Sequence, residues 1–480
     1  MQNPTLSQED LITIYKTMQA NDGITDVAAL TGGGALSRQF LDATLASIVA
    51  QASDLKFYKQ MPKRSVNQTL LEYTRRENRN DNFFDSGWLN QVADPSFGDV
   101  ALKRMVEQMT YLSRAFSFSR VAQQIQGIAD PEVEQTNNAL IRTMIDLTRF
   151  VFHGDKSINP NEPNGFVQKI LALNSTKHVY DCRNMIPSAQ VLKEKSAMLA
   201  QDYFATPNQM WMPIGTKNLI DNVYTASGQV MAWQNNQANP NSVALSNIVP
   251  FVLANEAKEG KIIFETERYI DLSKQTVPMI PNPAGNGTMI EGATGPTAPD
   301  MPSIAVAVIA PPVAGSLWQA GDAGAYSYRV AALNQFASVA CPASAPQTVA
   351  AGGALQITIT PALTGYAADA FALFRETAPG NGDFKLFKRI PKTLAPTTVY
   401  IDLNEDIPGT GIAILGDFNA TSTTDESRTY ILSELLPPLK TLFPEGIGGL
   451  RIRTGMVEHY CVPQIFTPER FVLFKNIPVR

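Results

Sequence analysis

Hydrophobic positions along this chain follow different periods, and each period marks off a region. Between Asp130 and Gly154 the apolar residues Leu140, Met144, Leu147 and Val151 recur at spacings of four, three and four, which is one face of an α-helix. Asp130 is placed to cap that helix, Pro131 suits its first position, and Gly154 closes it. Further on, Tyr326, Tyr328, Val330 and Ala332 alternate strictly, as do Leu355, Ile357 and Ile359, and then Val399, Ile401 and Leu403. Period two marks strands. With Gly, Pro and Asn turns between them, these runs predict an all-β sandwich over 303–410, ending at Ile407-Pro408-Gly409-Thr410. Residues 185–275 mix both periods. QMWMPI predicts a strand stopping at a proline, GTKNLIDNVY the helix after it, and KIIFETERYIDL a strand pair or a strand with a turn.

Ahead of the long helix, two helical stretches at about 7–20 and 37–52 flank Thr31-Gly32-Gly33-Gly34, a break that predicts an extended arm. That glycine run lacks both a preceding apolar strand and a following Gly-Lys-Ser/Thr, which argues against a phosphate cradle. Ser65–Arg76 and Leu102–Ser119 predict two extended arms around RENRNDNFFDSGWLNQVADPSFGD, a polar, turn-rich stretch too long to be a silent connection. Phe83, Phe84, Trp88 and Phe97 fall in it; aromatics on a projecting loop either meet a partner surface or fold back on their own domain. VPMIPNPAGNGTMIEGATGPTAPDMP predicts a linker into the sandwich. Beyond the sandwich, RTYILSELLPPLKTLF predicts a helix in its first part, interrupted at Pro437-Pro438, and RIRTGMVEHYCVPQIFTPERFVLFKNIPVR predicts short strands. A chain that leaves an α/β region, makes a sandwich and returns predicts an inserted domain.

Composition narrows the class. The 480 residues exceed one ordinary core. Hydrophobic residues make up 44% and charged residues 17%, which leaves much surface to Asn, Gln, Ser and Thr, as expected where copies of one chain bury one another. A net charge of −5 argues against a grip on phosphates. Cys182, Cys341 and Cys461 are an odd number without CxxC spacing, so reduced thiols are expected over a disulfide framework or a zinc site. The opening MQNPTLSQED lacks a signal-peptide pattern, and no apolar run approaches the ~20 residues of a membrane helix. His153, His178 and His459 show no metal-ligand spacing. His153 ends the long helix, where a structural cation is favoured. His459 and Cys461 fall on one side of a strand, a Cys/His pair or simply packed residues. Asp402, Glu405 and Asp406 have calcium-type oxygens without EF-hand spacing, and predict the solvated edge of the sandwich. GxSxG, HExxH, Walker-type and GxGxxG motifs are all missing, so no catalytic, cofactor or metal residue is assigned.

The order of elements (arm, long two-stranded loop, long helix, α/β region, return) resembles the major capsid proteins of tailed bacteriophages, which share the Hong Kong 97 fold. MVEHYCVPQIFTPERFVLFKNIP is similar to the closing strands of that family, while YSYRVAALNQFASVA and FALFRETAPGNGDFKLFKRI resemble a strand and hairpin of fibronectin-type or immunoglobulin-like modules. The resemblance implies an α+β capsid fold with an N-terminal arm at 1–50 and an extended loop region at 51–120. A peripheral domain with a spine helix follows at 121–184, then the first part of an axial domain and linker at 185–302. An inserted immunoglobulin-like sandwich at 303–410 and a return at 411–480 complete it. It further implies a non-enzymatic protein that self-assembles as pentamers and hexamers into an icosahedral shell. Double-stranded DNA would be enclosed without sequence-specific binding. Scaffolding, portal and decoration proteins are the implied partners, with assembly in the host cytoplasm and no membrane. Arg75, Arg76, Arg79, Phe83, Phe84, Trp88 and Phe97 are then candidate inter-subunit contacts. Their arginines, with Glu77, Asp81 and Asp85, would set register more than strength. Some members are trimmed at the N-terminus or crosslinked through a loop lysine. The short 1–50 arm predicts uncleaved assembly, and the lack of any lysine from Leu70 to Leu102 predicts a non-covalent shell. The alternatives are a tail or baseplate protein, a secreted adhesin with a carbohydrate-binding sandwich and, last, an enzyme of unrecognised type.

Overall fold

The computed structural model describes residues 54–78, 101–119, 130–226, 262–281, 289–290, 292, 294, 297–334, 337–362, 365–418, 428–443 and 452–479. The two helices and the glycine break expected before residue 53 lie outside them. Strands and helices are numbered below in chain order.

The long helix forms as its sequence dictates. After the short α1 (Lys56–Gln60), α2 spans Pro131–His153. The Asp130 carboxylate accepts the Glu132 amide at 2.9 Å, and the Gly154 amide returns to the Phe150 carbonyl at 2.8 Å. Gly154 is required for space, since a Cβ there would meet the Pro163 carbonyl oxygen at 2.2 Å. Leu147, Val151 and Phe152 bury one face in the main core, with Phe166, Trp211, Phe418 and Phe471. Phe57 sits at its centre, with five rings 4.6 to 6.1 Å away. Three of the rings stand edge-on, one is tilted and Tyr430 is stacked, arrangements that aromatic quadrupoles favour.

A four-stranded sheet lies against the helix in the order β1 (Lys63–Ser65), β20 (Tyr430–Leu442), β21 (Ile452–Ile465), β4 (Thr110–Ser119). Phe116, Phe118 and Val457 meet Ala139 of α2. Residues 430–442 are therefore strand, which corrects the expected helix. Leu and Glu favour a helix locally, but β1 and β21 flank this segment and take its backbone groups, and Tyr430–Ser433 are buried on both faces. Pro437 and Pro438 fall where the register slips between Leu436 and Leu439, the kind of irregularity that tolerates a residue without an N–H. The expected short strands beyond it are instead one 14-residue strand, β21, followed by a turn and β22 (Phe471–Pro478). The predicted stretch Leu102–Ser119 breaks at Met109. Its first part, β3 (Ala101–Gln108), pairs with β2 (Leu70–Asn78), while β4 crosses into the sheet.

A five-stranded sheet runs β5 (Val179–Asp181), β22, β19 (Thr410–Gly416), β6 (Gln209–Met212), β7 (Ile263–Thr266). Short α3 (Phe166–Leu171) joins the main core, while α4 (Ala189–Tyr203) and α5 (Ile214–Ala226) pack on this sheet through Leu192, Leu199 and Ile220. QMWM and the helix after Pro213 fall where the sequence predicts them. After β7 comes a 3-10 turn, Arg268–Ile270.

Residues 303–402 form sheets of their own. One runs β10 (Ser303–Ile309), β15 (Ala354–Thr360), β18 (Thr398–Asp402). The other runs β13 (Ser338–Ala340), β12 (Tyr328–Leu333), β16 (Ala370–Glu376), β17 (Phe384–Pro391). Two small pairs accompany them, β8 (Ile280–Pro281) with β9 (Met289–Ile290), and β11 (Gly324–Tyr326) with β14 (Gln347–Val349). The core includes Tyr328, Val330, Leu355 and Ile357, as the alternation predicts, together with Phe371 and Leu373 of β16. β18 is turned the other way: Val399 and Ile401 face solvent, while Thr398 and Asp402 face in. The inward register is fixed by Asp402, whose carboxylate accepts from Arg375 at 2.6 Å and from the Tyr328 hydroxyl at 2.8 Å.

Candidate inter-subunit surface

The β2–β3 ribbon has two chemically distinct faces, because residues two apart share a side of a strand. Leu71, Tyr73 and Arg75 pair with Glu107, Met105 and Lys103 on one face; Leu70, Glu72, Thr74 and Arg76 pair with Gln108, Val106, Arg104 and Leu102 on the other. The first face is held by the chain's own body. Leu71 packs with Met109 and Val462, and the Tyr73 ring meets Phe466 edge-on at 4.8 Å. Arg75 binds Glu469 at 2.9 Å and Glu77 at 2.6 Å. At the ribbon's base Glu107 is paired with Lys169. Among the described residues the second face enters no apolar core. Leu70, Val106 and Leu102 stand 49, 51 and 62% exposed, interleaved with the Glu72–Arg104 ion pair and exposed Arg76. Aliphatic side chains spaced by charges are the composition of a surface that binds with modest strength and defined register.

The four-stranded sheet adds a second exposed area. Phe116 and Phe118 face α2, while Tyr111, Ser113, Ala115 and Ser117 alternate outward. Tyr111 stands edge-on to Tyr460 at 5.0 Å.

Of the residues singled out by sequence, Arg75 is engaged within its own chain and Arg76 is on the exposed face. Arg79, Phe83, Phe84, Trp88 and Phe97 lie outside the described residues. Sequence reasoning missed Leu70, Leu102 and Val106. The signal was present: Leu70-Leu71 places apolar side chains on both faces of a strand whose inner set is already complete.

The three histidines are structural. His153 Nε2 donates to the Ile270 carbonyl at 2.8 Å, and burial pushes its pKa down to about 4, so it is neutral and not the expected cation. His178 Nδ1 meets the Phe471 carbonyl at 3.0 Å, and His459 Nε2 meets Glu434 at 3.0 Å. His459 and Cys461 do share a buried side of β21. Burial pushes the Cys461 thiol up and the Cys182 thiol up to about 12, the reverse of nucleophile activation. In the acidic segment 402–406 Glu405 is exposed as expected, but Asp402 and Asp406 are not a solvated edge. Asp402 is bound by Arg375, and Asp406 by Lys388 at 2.7 Å and Lys475 at 2.8 Å, so cations of the same chain occupy the oxygens a metal would need. Among the described residues no group of three or more His, Cys, Asp or Glu is placed to hold a metal, and no helix is long and apolar enough to cross a membrane.

No family model matches the sequence. The major capsid protein of Staphylococcus phage K is 24% identical over 479 residues, covering 98% of this chain and 95% of its own. The putative major capsid protein of Enterococcus phage phiEF24C is 24% identical over 302 residues, 60% of this chain and 62% of its own. Among solved structures, the capsid of a native GTA particle covers 94% of this chain and 99% of its own at a TM-score of 0.45 and 10% identity. From one end to the other, this chain is similar to the major capsid proteins of Staphylococcus phages.

Proposed function

We infer that this chain is a phage major capsid protein, one that assembles with copies of itself into the shell of a virion. The observation that carries this is the extent of the similarity, 98% of this chain against 95% of its relative, so the likeness is to a whole capsid subunit and not to one shared module. The Hong Kong 97-type fold of a tailed phage is supported by element order: ribbon, spine helix α2, five-stranded sheet and returning strands. On this reading 51–120 is the extended loop region, 121–184 the peripheral domain, and 185–302 with 411–480 the axial domain and return. Residues 303–410 are an inserted immunoglobulin-like domain. Support for the insertion comes from the five-stranded sheet, which takes β6 and β7 before the sandwich and β19 after it, while 303–402 keep sheets of their own.

The exposed ribbon face, with Arg76 and the loop bearing Arg79, Phe83, Phe84, Trp88 and Phe97, is the surface we assign to neighbouring subunits. Summing many modest contacts over a closed lattice stabilises a shell without any single tight interface. Pentamers and hexamers enclosing double-stranded DNA, assembly in the host cytoplasm, and scaffolding, portal and decoration partners belong to the same proposal. So does a structural rather than catalytic role, which the bonding of all three histidines supports. Negative-stain electron microscopy of the protein, alone and with candidate scaffolding partners, tests it. Closed shells or capsomer-sized rings are expected; dispersed monomers under every condition would overturn it, and tubes would favour a tail protein.

A further inference from the structure

Among the described residues, the sandwich and the rest of the chain share no apolar core. Among the described residues, the clusters around Phe57 and Leu192 draw on elements outside 303–402 alone. The clusters around Tyr328 and Ala331 draw only on the sandwich and on Val277 and Met279 of the linker. What joins the two parts is charged. Arg183, in the loop after β5, donates to the Asn404 carbonyl at 2.7 Å, to the Leu317 carbonyl, and to the Asp322 carboxylate at 3.2 Å. Arg389 of β17 donates to both carboxylate oxygens of Glu162 at 3.2 Å and to the His153 carbonyl at 2.9 Å. Asp406, on the segment leaving the sandwich, lies between Lys388 of the sandwich and Lys475 of β22. Beside it the Asn476 amide donates to Asp181 at 2.7 Å and to the Glu405 carbonyl at 2.8 Å, and accepts the Ile407 amide at 2.9 Å. Arg389, Lys388, Asp406, Lys475 and Asn476 line a cavity of about 200 Å³ whose wall also includes Val167, Leu171, Leu386 and Phe387. Its charged lining is bonded within the protein, Arg389 to Glu162 and Asp406 to Lys388 and Lys475, and none of these groups is left over for a ligand.

We propose that this junction is a releasable hinge: the sandwich swings away from the remainder of the chain with both cores intact, about crossings at Asp271–Gln275 and Asn404–Pro408. Opening a junction built on a shared apolar core exposes that core to water. Opening this one trades ion pairs and hydrogen bonds for hydration of both partners, and the recovered hydration offsets much of the lost attraction. The two arginines grip different segments, Arg183 the Asn404 and Leu317 carbonyls and Asp322, Arg389 the Glu162 carboxylate and the His153 carbonyl, so together they define one closed orientation, and removing them frees it. This inference stands apart from the capsid reading and holds or fails for the unassembled chain.

The test is hydrogen exchange of the full chain against its R183A/R389A variant. Both substitutions remove contacts across the junction and leave both cores untouched. Exchange over 404–410, where the Ile407 amide is held by Asn476, should rise by about tenfold or more. Strands 328–333, 355–359, 413–416 and 471–474 should keep their original rates. Loosening of those strands together with the junction would show one cooperative unit and overturn the proposal, as would an unchanged junction. If the variant does not fold, the original chain is compared at about 0.1 M and about 1 M sodium chloride, where screening weakens the same pairs. The same pattern is expected, and the same two outcomes overturn it.

Discussion

At the level of single residues, the sandwich depends on one buried cation. Arg375 is almost wholly buried. It binds Asp402 at 2.6 Å and the Asn404 side chain at 2.7 Å, and its guanidinium lies 4.7 Å from the Trp318 ring. Removing it strands Asp402 as an uncompensated charge, so Arg375→Ala should cost about 3–5 kcal/mol in denaturant unfolding. A loss below about 1 kcal/mol would refute that role. His153 gives a pH dependence whose sign follows from its partners. Burial holds its pKa at about 4, with Arg389 and Arg149 nearby working in the same direction. In the unfolded chain it titrates near its ordinary value of about 6.5. Its contribution to stability is complete above that value and declines as pH falls toward about 4, because the unfolded state takes up the proton first. Melting temperatures at pH 7 and pH 5 should therefore differ less for His153→Gln than for the original chain.

Single elements show what local sequence can and cannot announce. The helix α2 was legible to the residue, because Asp130, Pro131 and Gly154 are signals read within one turn. The sandwich strands were legible from period two, though not which side of β18 faces inward, since that is decided by Arg375 from a different strand. β20 was not legible. Its Leu and Glu residues announce a helix, and only β1, whose Lys63 pairs with Leu432, and β21, whose Gly455 pairs with Leu442, make it a strand. The exposed ribbon face was half legible, as an expectation of contact placed on the loop beyond it. Replacing Leu102 and Val106 together by Asp should leave the subunit's melting temperature within a few degrees, because neither side chain touches its own core. Particle yield by sedimentation should fall severalfold. Unchanged yield would move the subunit contact elsewhere. Trp88→Ala should lower the yield as well if the loop shares that contact.

For the whole molecule, the capsid reading was legible as an order of elements with no single motif to carry it. A shell subunit has no reaction to mark with a conserved chemistry; its function is distributed over faces, and faces are fixed by long-range packing. One chemical consequence was plain in the sequence. With no lysine from Leu70 to Leu102, that stretch of the loop region offers no amine for a covalent link to a neighbour. Assembled particles boiled in detergent should run as single chains of 52.3 kDa, and a ladder of multiples would contradict this.

The strand order of the five-stranded sheet bears on how the chain is made. β22, residues 471–478, is not an edge: it lies between β5 and β19, and its side chains Leu473 and Phe474 belong to the cores on the two sides of the sheet. A ribosome reading from the first residue onward delivers this strand some 70 residues after the sandwich strands are complete. At roughly 5–20 residues per second, the sandwich can finish folding several seconds before the sheet flanking it can close. During that interval β19 waits with one side unpaired. The five-stranded sheet therefore closes only once synthesis has passed residue 478, so the order of strands makes this sheet the last part of the described fold to be completed.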